Sequence, residues 1–235
     1  MKLEITNPIS RLYNILYDLK QSSAYNPYTR FAEVINIDSS DVPEILFFYA
    51  DLLKLCNDSK TLIEKYYPNN TILIGHVSNA IAALSKINFA NTSSGMSSFD
   101  NSLAATTMTG LYTIAVMIPC SEEILSTDAI AHLKEDISTI LDDILVANIS
   151  SKLKDILSNR IQDILVILNK YYIYGNDELI KAFETSIGSV CINASNTQSE
   201  TEKGFCKLLL TKLTQVISFS NTTFSFAEHI EKLLS

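Results

Sequence analysis

Apolar residues recur three or four positions apart along nearly the whole chain, the spacing of one face of an α-helix. In "NPISRLYNILYDLKQ", Ile9, Leu12, Leu16 and Leu19 fall on one stripe with Tyr13 beside it. "YTRFAEVINI" predicts a second, shorter helix. A long third helix is predicted over "SSDVPEILFFYADLLKLCNDSKTLIEKYY", where Asp41 stands three residues before Glu44 and Pro43 falls in the first turn. The first feature has the spacing of a capping box; the second is a position where a missing N–H removes no hydrogen bond. "NNTILIGHVSNAIAALSKINF" continues the helical pattern up to the loop "NTSSGMSS", read as a flexible connection. "NSLAATTMTGLYTIAVMIPCS", residues 101–121, then resumes it until Pro119.

From Thr127 the pattern tightens. Ile130, Leu133, Ile137, Ile140 and Ile144 alternate three and four apart, and after the break at "NISS" the rhythm resumes through Leu153, Ile156, Ile161, Ile164, Leu168 and Tyr171. Two long helices folding back on each other, with a seam like an antiparallel coiled coil, satisfy this spacing. Gly175 ends the second of them and Asn176 opens another. Ser199 with Glu202, and Ser225 with Glu228, repeat the capping-box spacing ahead of "FCKLLLTKLTQVISF" and "FAEHIEKLLS". The expectation is an all-α fold, a compact bundle of about nine helices with a long antiparallel helical hairpin in the second half. It is taken as a single helical domain over 1–235, divisible into sub-units 1–121 and 122–235, and no repeat of solenoid period interrupts it.

Two stretches resemble known sequences. "NPISRLYNILYDLK", "TRFAEVINID" and "SSDVPEILFFYADLLK" are similar to the opening of small all-helical bacterial proteins described only as hypothetical. "LKEDISTILDDILVANISSKLKDILSNRIQDILVILNKYYIYGNDELIKAFETSIGSV" is similar to their second half. The resemblance covers about two thirds of the chain. It implies a bacterial cytoplasmic protein of the accessory kind found with mobile-element or phage-defence genes, and it carries over no active-site residues.

Composition narrows the picture. The chain has 235 residues, 47% of them hydrophobic, with six glycines and five prolines, which describes a folded chain and not a disordered one. The charged opening "MKLEITNPISRLYNILYDLK" is not read as a signal peptide, so the six Asn-x-Ser/Thr triplets are read as chance and Cys56, Cys120, Cys191 and Cys206 as reduced thiols. Net charge is −8 and no segment is a basic stripe, which argues against nucleic acid and against an anionic membrane surface. Residues 66–121 are the anomaly: Lys86 and Asp100 are their only formal charges. Length alone permits a transmembrane helix at 101–121. Yet half the positions between Leu103 and Ile118 are Ala, Thr or Gly, and Met108, Leu111, Tyr112, Ala115 and Ile118 separate helically from Thr106, Thr109 and Thr113. A central core helix packed on both sides is the first reading, a partner or dimer interface the second, and membrane contact the third.

Catalytic chemistry is sparsely represented. The glycines are isolated, with no phosphate-cradling or nucleophile-elbow spacing, and Arg11, Arg30 and Arg160 have no nearby His partner for ribonuclease chemistry. Asp128, His132 and Glu135, at i, i+4 and i+7, share a helix face with Asp136 close by, and are the one candidate metal set. "YNPYTRF" places Tyr25, Tyr28 and Arg30 together, a composition enriched at interface hot spots, although the same residues serve equally to pin a loop to the core. The expected function is therefore non-catalytic protein–protein interaction, with a protein partner or a homodimer and no cofactor. The seam residues Ile137, Ile144, Ile156 and Ile164 join the tyrosines and Arg30 as interface candidates. A membrane-active effector using 66–121 and a metal-dependent bundle enzyme are the alternatives.

Overall fold

The computed structural model describes residues 2–4, 7–119 and 125–219. Among them are ten helices and no strand: α1 (Pro8–Gln21), α2 (Pro27–Ile35), α3 (Val42–Tyr66), α4 (Thr71–Leu84), α5 (Ser97–Ser102), α6 (Ala105–Met117), α7 (Thr127–Val146), α8 (Ser151–Asn169), α9 (Tyr171–Asn196) and α10 (Glu200–Phe219). They form two compact units, Met1–Glu122 and Glu123–Ser235.

The first three helices start on the same chemistry, an Asn or Asp N-cap followed by Pro in the first turn. Asn7 Oδ1 accepts from the N–H groups of Ile9 and Ser10, both at 3.0 Å, while Ser10 Oγ accepts from Asn7 N–H at 3.1 Å, completing a capping box. Asn26 caps α2 through Tyr28 N–H at 2.9 Å, and Asp41 caps α3 through Glu44 N–H at 3.3 Å. Each supplies an acceptor to an otherwise orphaned N–H and contributes about 1 kcal/mol.

In the first unit α1 packs against α3 and α6, and α4 closes the ring between those two; α2 lies on α1 and α3, and α5 on α4. The central helix is α1, in which every residue from Ile9 to Leu16 is buried, Ser10, Arg11 and Asn14 included. Buried polar groups need partners. Ser10 Oγ donates to Asn7 O at 2.8 Å, and the Asn14 amide pairs twice with the backbone of Leu3, at 2.8 and 2.9 Å. Beside α2, the Phe31 ring meets Phe48, Tyr49 and Phe89 at centroid distances of 5.7–5.9 Å.

The segment "NTSSGMSS" is a packed turn and not the flexible connection expected from its composition. Asn91 Oδ1 accepts from Ser93 and Ser94 N–H at 3.1 Å, and Met96 is fully buried. A Cβ at Gly95 would fall 2.2 Å from the Asn88 carbonyl, so only glycine fits there. The helix expected over 101–121 is split into α5 and α6 by a break at Leu103–Ala104, where the Leu103 carbonyl accepts from Lys20 Nζ at 2.7 Å.

The second unit is an up-and-down four-helix bundle. A four-residue loop, 147–150, joins α7 and α8 as an antiparallel hairpin; α9 packs on α8, and α10 packs on α9 and returns to α7. Leu133, Ile137, Ile140 and Ile144 of α7 meet Leu153, Leu157, Ile161, Ile164 and Leu168 of α8 in a core completed by α9 and α10. Gly175, at φ 70° and ψ −169°, breaks the helical path where the sequence predicts a stop. Ser199 Oγ caps α10 through Glu202 N–H at 3.3 Å. The Glu202 carboxylate accepts from Ser150 N–H at 3.0 Å and from the Thr197 hydroxyl, which ties the start of α10 to the hairpin loop. The helix predicted from Ser225 lies outside the described residues, as does Cys120.

Candidate docking groove

The uncharged middle of the sequence becomes the paired helices α4 and α6. Asn70 caps α4 by accepting from Leu73 N–H at 3.1 Å. At the same end of the antiparallel pair, Asn7 Nδ2 donates to the Ala115 carbonyl at 3.0 Å, satisfying one of the last acceptors of α6. Neither helix contains Asp, Glu, Lys or Arg. The helices meet closely at Gly110, where a Cβ would lie 2.3–2.4 Å from the His76 ring. The imidazole thus occupies the space that any other residue at 110 would fill.

α6 is divided lengthwise. Thr107, Leu111, Ile114 and Ala115 are buried, whereas Thr106, Thr109 and Thr113 face outward. The helical split read from the sequence is present, but the expected packing on both sides is not. The threonine face is open, because α1 and not α6 fills the centre of the unit. Thr113 Oγ1 donates to the Thr109 carbonyl at 2.9 Å, so its hydroxyl is turned back on its own helix. Between the helices runs a groove of about 420 Å³ lined by Leu73, His76, Thr106, Thr109, Thr113 and Ile114 among others. At one end stand Ile72, 75% exposed, with Val116 at 63% and Met117 at 48%. His76 Nδ1 is buried and has no hydrogen-bond partner among the described residues. The signal for this site in the sequence is the absence of charge over two consecutive long helices; which face would stay open is not encoded in that pattern.

The residues singled out from the sequence lie elsewhere. Arg30 is 2% exposed and spends its guanidinium internally, donating to the Ala24 carbonyl at 2.5 Å and pairing with Asp100 at 2.6 Å. Tyr28 packs on Phe89 at 5.4 Å, while Tyr25 is exposed and its carbonyl accepts from Met96 N–H at 3.1 Å. Ile137, Ile144 and Ile164 are buried in the core of the second unit; Ile156 is half-buried, and Leu157 takes the core position beside it. The hairpin seam is therefore covered by α9 and α10.

Asp128, His132 and Glu135 all lie on the solvent side of α7. Among the described residues no group of three or more His, Cys, Asp or Glu side chains is placed to hold a metal ion. Burial pushes the Cys56 thiol up to about 12 and also raises Cys206, which is fully buried, so neither is a ready nucleophile. A shallower groove between α8 and α9 is rimmed by two ion pairs, Arg160–Asp163 at 3.2 Å and Lys181–Glu178 at 2.9 Å. No described helix is long and apolar enough to cross a membrane.

No family model matches the chain, and neither a curated protein nor a solved structure matches it.

Proposed function

We propose that this is a non-catalytic interaction protein that docks a protein partner on the uncharged α4–α6 face. One observation carries the reading: Ile72, Val116 and Met117 stand in solvent beside an open groove, on two helices without a formal charge. Exposed apolar area of this kind is costly unless it is covered in use. Small side chains at 105, 109, 110 and 113 let a helix ridge approach the groove closely. The resemblance to hypothetical bacterial proteins supports placing the partner in a bacterial accessory setting, such as a phage-defence or mobile-element system.

The test is site-specific photo-crosslinking in cells, with the photoreactive residue placed at Thr109 and, as control, at exposed Thr211 on α10. Discrete adducts are expected from position 109 and not from 211. Absence of any adduct from 109 under conditions where the chain is folded and abundant overturns the proposal.

A further inference from the structure

We infer that the occupant of the α4–α6 face is the same face of a second copy of this chain, an inference that rests on the docking reading above. Charge selects the partner. The chain carries net charge −8, and every described helix of eight or more residues except α4 and α6 contains at least one Asp or Glu. Burying an unpaired carboxylate is strongly unfavourable. Two copies meeting through α4 and α6 bury none on either side, and an isologous contact needs only that one patch be complementary to itself. The surface suits that geometry. Ile72, Val116 and Met117 are exposed where the start of α4 meets the end of α6, while Ala105, Thr106 and Thr109 present only small side chains toward the other end. A two-fold axis near the middle of α6 sets the apolar end of each copy over the small side chains of the other. A lipid occupant lacks support, since neither helix carries the Lys or Arg that anionic headgroups attract.

Helices of 13 and 14 residues are about 20 Å long, and two side by side present a face of roughly 400 Å². That is half of what a standard interface buries per partner, so the pairing is a weak one, with Kd on the order of micromolar.

The experiment is sedimentation equilibrium on the full chain from about 1 to 200 µM, a range spanning a micromolar Kd. Wild type is compared with Thr109→Glu, Thr109→Lys and an equimolar mixture of the two. Thr109 is exposed, so far-UV circular dichroism of the single variants should match wild type. Near a two-fold axis each position 109 faces its own counterpart. Wild type is expected to reach the mass of two chains, each variant alone to lose at least tenfold in association, and the mixture to recover it. Wild type that stays at the mass of one chain at the highest concentration overturns the second copy as occupant. So does a two-chain species that both variants leave intact, because it uses another surface. If the chain stays single while position 109 cross-links a different protein, the docking reading stands and this inference alone fails.

Discussion

Two glycines on the docking helices set opposite expectations. At Gly75 nothing lies within 4 Å of an added Cβ. Gly75→Ala should therefore stabilise the fold by about 0.5–1 kcal/mol, the ordinary gain for Gly to Ala within a helix. At Gly110 the same methyl meets the His76 ring, and overpacking outweighs that gain, for a net loss of about 1–2 kcal/mol. Urea denaturation checks both, and His76→Ala in the Gly110→Ala background should recover most of the loss. If Gly110→Ala is as stable as wild type, the close approach described here is wrong. Arg30 makes a sharper case. Truncating it to Ala removes the partner of Asp100 and leaves the Ala24 carbonyl without its guanidinium donor. A loss of roughly 3 kcal/mol is expected. Arg30→Lys should recover only part of it, since one ammonium does not reproduce the planar fork. A melting temperature within a degree of wild type for Arg30→Ala contradicts the internal role. The sequence shows Arg30 among aromatic residues, a setting common to interface anchors and interior braces; Asp100, seventy positions away, is what distinguishes them.

At the scale of the helix, periodicity was a good guide to where elements lie and a poorer one to which residues face inward. The α7–α8 hairpin, the stop at Gly175 and the caps at Asp41 and Ser199 were legible because spacing and capping are local properties. The heptad-like phase of α8 was not fully legible. Ile156 and Leu157 are adjacent and both apolar, so the sequence fits either register, and the bundle buries Leu157. Two of the seam isoleucines, Ile144 and Ile156, should therefore behave differently. Ile144→Ala, at a fully buried site, should cost about 3 kcal/mol, and Ile156→Ala at most about 1 kcal/mol. Equal costs in chemical denaturation would mean that the register is misassigned. The break between α5 and α6 was also missed: there Leu103 is buried and its carbonyl accepts from Lys20 Nζ at 2.7 Å, a contact across 83 positions that no local pattern records.

For the whole molecule, charge dominates the expectation. If two copies of a chain with net charge −8 meet through a face that has none, their repulsion acts at long range and salt screens it, with a Debye length falling from about 10 Å at 0.1 M to about 3 Å at 1 M. Pairing should therefore strengthen as sodium chloride is raised over that range, by sedimentation equilibrium at constant pH. An association that weakens with salt would indicate a contact made by ion pairs elsewhere. By itself the sequence determined the all-helical class, most helix limits and the absence of charge over 66–121, since each depends on neighbours within a few positions along the chain. Only the tertiary structure decided which helix is central. Average polarity pointed to α6, yet α1 lies in the middle, because Ser10 and Asn14 find backbone partners there and lose the penalty that burial imposes on polar groups. With the centre filled by α1, the uncharged helices were left with one face open, and no local pattern records that outcome.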